Sequence, residues 1–116
     1  MTSTQRLHVV PSQFAVEHFP EATFPEDDEW IVLVRAPEGL TVVREVPAWV
    51  EGERWVGFYG DAGRGRDVRG VVDPLGEAGI AVFVASTYHA DLVLVPEERR
   101  EEAAAVLREA GHQIVG

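Results

Sequence analysis

The sequence of 116 residues contains no cysteine, no lysine and a single methionine. Without cysteine there is neither a disulfide framework nor a thiolate metal site, which fits a reducing compartment. Without lysine there is no amine nucleophile and no Schiff-base chemistry; all ten basic residues are arginine. No apolar run approaches the roughly 20 residues that span a bilayer. The N-terminal MTSTQRLHVV lacks the charged start and apolar stretch of a secretion signal, so the expected location is cytoplasmic. Positive charge is scarce as well. Ten basic against 20 acidic residues leave a net charge of −10, which repels phosphate and argues against nucleic acid or anionic membrane as partners.

What is present is an apolar fraction of 46%, ample for the core of one compact domain or of two very small ones sharing a core. The chain is organised around Gly79 to Pro96, GIAVFVASTYHADLVLVP. Two apolar runs, Ile80 to Ala85 and Leu92 to Val95, flank a short polar link and read as a β-hairpin. Their near-continuous hydrophobicity predicts a central position in the sheet. Upstream, Leu7 to Val10 and Phe14 to Phe19 read as two short strands joined by a turn at Pro11-Ser12-Gln13. Trp30 to Arg35, Thr41 to Val46 and Trp55 to Tyr59 read as three more. Ala48 to Arg54 is the best boundary between an N-terminal half, residues 1–50, and a C-terminal one, 51–116.

Val68, Val71, Val72 and Leu75 fall at the spacing of one helix face, with Asp67 as N-cap and Gly79 just past the C-terminus. Pro74 is an interior defect that clashes with the carbonyl of Gly70 and predicts a short or kinked helix. A second helix runs from Glu97 to Ala110, started by Pro96 and burying Ala103, Val106, Leu107 and Ala110. Ile114-Val115 reads as a closing strand. From Trp55 onward the order is β-α-β-β-α-β, the ferredoxin-like plan of an α+β fold.

Most chemical signatures weaken on inspection. Gly60 to Asp67 has the outline of a phosphate-binding loop, but Arg66 replaces the lysine and Asp67 the Ser/Thr, and an acid at that cap repels phosphate. A connecting loop or an amino-acid-binding turn are the remaining readings. Ser86, His89 and Asp91 are the residue types of a catalytic triad, yet six positions of one turn place them poorly to relay a proton. Asp91 either caps the turn or contacts a ligand. His8, His18, His89 and His112 are dispersed without ligand spacing, and the acids Glu26 to Glu29 point to different faces, so no metal site is expected. Trp30 and Trp55 read as core, and Trp49 as an exposed contact residue.

The string Pro74-Leu75, Ala78-Gly79-Ile80, Phe83, Ser86-Thr87-Tyr88, Asp91 and Leu94-Val95 resembles the signature of ACT domains, in particular the small tandem-ACT group that includes cytosolic arginine sensors and uncharacterised bacterial proteins. Gly39-Leu40-Thr41-Val42-Val43 resembles a strand of the same group. The resemblance implies a ferredoxin-like ACT domain at 51–116, a degenerate ACT-like half at 1–50, and a ligand, usually an amino acid, at their interface. It places Thr41 and Val42 at backbone and hydroxyl contacts. It places Ser86, Thr87, Tyr88, His89 and Asp91 in a loop closing over the ligand, with Asp91 meeting a cationic group. Gly65, Arg66 and Asp67 would form the turn before the first helix, where backbone amides meet a carboxylate. Arg66 and Asp67 stand where the group has glycine and an apolar residue, which alters the size and charge of the pocket.

The expected function is a non-catalytic regulatory module that binds a small molecule, an amino acid, without cofactor, with a homodimer or a regulatory protein as possible partner. The alternative is an assembly module that joins proteins and binds no metabolite.

Overall fold

The computed structural model describes residues 6–21, 29–47, 49–60 and 68–116. The elements are β1 (Arg6–Phe19), β2 (Trp30–Ala36), β3 (Gly39–Val46), β4 (Trp55–Gly60), α1 (Arg69–Glu77), β5 (Phe83–Ser86), β6 (Asp91–Pro96), α2 (Arg100–Glu109) and β7 (Gln113–Val115). A single 3-10 turn, Glu97–Arg99, leads into α2.

The segments on either side of Pro11 are one strand of 14 residues, not two strands and a turn. Four steps along β1, from Val9 to Gln13, face only two along β4, from Phe58 to Val56. The surplus forms a bulge around Pro11, one of the few places where a strand accommodates a residue with no N–H. The bulge lets β1 serve two sets of neighbours. Its first residues, Arg6 to His8, lie parallel to β7, while Gln13 to Phe19 run antiparallel to β3. Its other edge pairs with β4.

That pairing overturns the ferredoxin-like expectation for the α+β fold. A βαββαβ unit needs its last strand beside its first, here β7 beside β4. Instead the N-terminal end of β1 occupies the place between them. The result is one sheet ordered β2-β3-β1-β4-β6-β5, with β7 on β1. It is mostly antiparallel and nearly closed, barrel-like, and among the described residues 50% are strand and there are only two short helices. The hairpin of β5 and β6 is not wholly central either: β6 lies between β4 and β5, whereas β5 is an edge strand.

Both faces of the sheet are covered, which explains why its strands read as continuous apolar runs. Val56 and Phe58 of β4, with Val93 and Val95 of β6, face α1 and α2 and pack with Leu7, Val71, Leu75, Ala103 and Leu107. The opposite face holds a second core around Phe14, Val43 and Leu94. Val32 of β2 and Phe83 of β5 pack against it together. Those strands are at the two ends of the sheet order, so the sheet must curl to bring both to one cluster. Trp55 joins this core, half-buried, whereas Trp30 is 38% and Trp49 83% exposed.

The helices end alike. After α1, Gly79 N–H donates to Gly76 O and Ile80 N–H to Leu75 O; after α2, Gly111 N–H donates to Arg108 O and His112 N–H to Leu107 O. Each is a Schellman motif with glycine at the positive-φ position. The second motif carries the imidazole of His112, which is buried, to the first turn of α1, where Nε2–H donates to the carbonyl of Gly70 at 2.6 Å. That carbonyl belongs to the residue four before Pro74, which has no N–H to offer it. His112 thus supplies the hydrogen bond that the proline removes. Replacing His112 by alanine leaves a buried carbonyl unpaired and should cost about 1–3 kcal/mol. In a Pro74→Ala background the backbone N–H returns, and the same His112→Ala change should cost on the order of 1 kcal/mol less. Urea denaturation of the four proteins in this cycle measures the coupling, and simple additivity would refute it.

Candidate functional site

The site builds from the β5–β6 turn. Ser86 and Asp91 are the last ladder pair of these strands. Inside the turn, Thr87 organises the backbone. Its N–H donates to Ala90 O at 2.7 Å and its hydroxyl donates to the same oxygen at 2.9 Å. Thr87 Oγ1 also accepts from the N–H groups of Ala90, at 3.0 Å, and His89, at 3.3 Å. Short hydroxyl side chains do this in turns because they reach backbone amides two or three residues on. With the Thr87 proton engaged on Ala90, the hydroxyl of Tyr59 donates to Thr87 Oγ1 at 3.2 Å. This bond ties the turn to the end of β4.

Asp91 is buried, 6% exposed, and Oδ1 accepts from Ser86 Oγ at 2.7 Å. Of the two readings of this acid left open by the sequence, the bond from Ser86 supplies the turn-capping one. The Ser86 hydroxyl donates to Asp91 rather than to His89, so these three residues do not form a nucleophile–base relay. At the tip, Tyr88 is 92% exposed and stands edge-on to His89, with ring centroids 4.8 Å apart.

Thr41 and Val42 occupy a different part of the sheet. Val42 is fully buried, and β3 pairs it with Glu17 of β1 and Leu33 of β2. Thr41 is half-buried between His18 and Val34. Two strands, β1 and β4, lie between β3 and β6 in the sheet order. Gly65, Arg66 and Asp67 lie outside the described residues. The ends that flank them, Gly60 of β4 and Val68 before α1, are described, and Gly60 directly follows Tyr59. The structure therefore groups Ser86, Thr87, Tyr88, His89, Asp91 and Tyr59 at one end of the sheet.

Tyr59 was not among the residues singled out from the sequence. Its signal is the alternation within WVGFY: Val56 and Phe58 face the helices, which puts Tyr59 on the other face at the strand's last turn of polarity, where a phenol needs a partner. The helix termini hold a charge pair. Arg99 donates to Glu102 at 2.7 and 2.9 Å and also reaches the carbonyls of Ala78 and Gly79 at 3.4 Å. The hydrogen bond from Arg99 holds the Glu102 carboxyl below its ordinary range, and the same bond raises the Arg99 guanidinium. Arg99 in this position places a cation at the C-terminus of α1.

Residues 67–109 match the ACT domain family. The matched stretch runs from just before α1 to the end of α2 and includes the whole β5–β6 turn. ACT domains are regulatory, non-catalytic modules that bind small molecules. Over the full chain the fold is similar to that of solved structures. The crystal structure of the protein Atu0741 from Agobacterium tumefaciens superposes with a TM-score of 0.83, at 23% identity, covering 98% of this chain and 94% of that one. A Vibrio cholerae protein of unknown function, VC0802, described as a possible transport protein, superposes with a TM-score of 0.67, at 20% identity, over 87% of this chain and 85% of that one. Among curated proteins none matches. Among the described residues no helix is long and apolar enough to cross a membrane.

Proposed function

We propose that the chain is a regulatory module that binds an amino acid and transmits its presence to a partner protein. The observation that carries this reading is the ACT match over residues 67–109, which spans the turn. In this reading the ligand sits at the turn, beside Tyr59 at the end of β4. Asp91 would share its carboxylate with the ligand's cationic group, and Gly65, Arg66 and Asp67 would meet its carboxylate. Thr41 and Val42, on β3 and separated from β6 by two strands in the sheet order, stand apart from this reading of the site. Binding would favour one packing of the chain over another, and the partner reads the difference.

A thermal-shift screen against the twenty amino acids tests this. A ligand at about 100 times its dissociation constant stabilises the folded state by about 2.7 kcal/mol, a clear rise in melting temperature. Asp91→Ala should abolish the shift. Ser86→Ala, which removes the turn's hydrogen bond but keeps the carboxylate, should retain it. Loss in both variants would mean that the turn's order matters and Asp91 has no ligand role of its own.

One observation favours assembly as the second reading. β2 is an edge strand, and Trp30, Ile31 and Val34 on it are exposed. Unpaired apolar edges invite strand addition. A screen with no thermal shift, together with a dimer in light scattering, would move the conclusion to that reading.

A further inference from the structure

At the far end of β4 from the turn, a second cleft opens where two paired segments diverge. Trp55 faces Pro96 in the β4–β6 ladder, and Glu97 N–H donates to Arg54 O at 2.8 Å. Beyond that last bond the chain on one side continues back through Glu53 and Gly52. On the other side it turns into the 3-10 helix at Glu97. The space between them is a cavity of about 310 Å³, within the range of small-molecule sites.

Its lining is unlike a plain anion or cation site. Among the described residues Arg54 is the only cation of the lining, and Glu53, Glu97 and Glu98 line the same cleft. The guanidinium does not close on any of these carboxylates. Arg54 Nη1 makes two long contacts to backbone carbonyls, 3.3 Å to Gly52 and 3.5 Å to Glu53. Nε is buried with no hydrogen-bond partner. An arginine has five N–H donors, and leaving a buried one unpaired is costly. The half-buried indole of Trp55 and the ring of Pro96 complete the wall with apolar surface.

We propose that this cleft binds a free α-amino acid as its zwitterion; the proposal rests on the reading of the chain as an amino-acid-binding module and gives it a second site. The planar fork of Arg54 suits a carboxylate, which it grips with two parallel bonds after a small rotation that also frees Nε from its orphaned position. Glu97 and Glu98 receive the ammonium group. The amino-acid side chain lies against Trp55 and Pro96. A phosphate or sulfate would meet three carboxylates, and a metal cation would meet the guanidinium. Only a ligand carrying both signs on adjacent atoms satisfies both sides. The surplus of acids sets selectivity: glycine, alanine and leucine are accepted, and aspartate and glutamate are repelled.

Trp55 and Tyr59 are four residue steps apart, about 13 Å along the strand, so the cleft and the turn report separately. The test is an amide NMR titration of the isotope-labelled full chain with leucine and with glutamate, repeated on Arg54→Ala and on the double variant Glu97→Gln/Glu98→Gln. Leucine should shift the amides of residues 52–55, 97 and 98 and saturate. Either variant should weaken that affinity about ten-fold or more, and glutamate should bind the native protein least. The double variant alters only exposed side chains, so it decides the matter even if Arg54→Ala unfolds. Shifts centred on residues 86–91 and unchanged by either variant would overturn the cleft while leaving the module's function standing. An absence of any saturable shift would overturn both.

Discussion

Replacing Phe58 by alanine should cost about 3–5 kcal/mol, enough to unfold much of the protein at moderate temperature. Phe58 is fully buried and central to the core between the sheet and the helices. Its strand is held on both sides, Phe58 facing Val9 of β1 and Val93 of β6. The backbone therefore cannot slide inward to fill the space. Nor can the helices settle freely, because His112 binds them together through Gly70 O and Arg99 reaches the end of α1. Deleting a ring under those constraints loses its transfer free energy and leaves a cavity, and the second term grows with how little the site can collapse. Phe58→Leu keeps most of the volume and should cost no more than about 1.5 kcal/mol. Urea denaturation with an unchanged m-value measures both. A loss under about 1 kcal/mol for Phe58→Ala would mean that α1 and α2 do not pack against this face as described.

How much of this was legible in the sequence differs between local and long-range features. The strand segments, the two helices, Gly79 past the end of α1, and the turn at Ser86 to Asp91 follow from hydrophobic period and turn chemistry, both of which act over a few residues. The neighbours of β1 do not. A proline between two apolar runs reads as a turn, and the same proline fits a bulge within one strand; only pairing with β4 distinguishes them. Once β1 is continuous, it can reach between β4 and β7, and the local order β-α-β-β-α-β no longer implies the ferredoxin-like sheet. His112 was legible only as a lone histidine. Its partner, Gly70 O, is 42 residues away in sequence. Pro74 marked that carbonyl as one in need of a donor, but not which residue provides it. At the turn, Asp91 was read with two roles, and the bond from Ser86 supplies the capping one directly. Arg54 carried no sequence signal, because the cleft it lines forms only where β4 and β6 part.

The N-terminal half has its own point of failure at Gly39, where alanine should cost about 3 kcal/mol or more. Ala36 pairs with Gly39 across Pro37-Glu38, closing the β2–β3 hairpin. The φ of Gly39 is +133°, a conformation whose strain alone is worth about 1–3 kcal/mol for an L-residue. A Cβ there would also lie 2.3 Å from Phe19 O and 3.0 Å from the Cα and O of Pro20. All three are backbone atoms at the end of β1, so no rotamer change relieves the clash. Either the hairpin or β1 must move, and Leu40, which pairs with Phe19 and is 1% exposed, moves with it. Gly52 isolates the two contributions. Its φ is +120°, but a Cβ would meet nothing nearer than Arg54 Nη1 at 4.0 Å. Gly52→Ala should thus show the strain without the collision and cost roughly 1–2 kcal/mol. Equal losses in the two variants, measured by urea denaturation, would show that β1 yields at Phe19 and that the hairpin is not pinned there. A larger loss at Gly39 means that the position of Thr41, two residues further along β3, is fixed by backbone packing against β1.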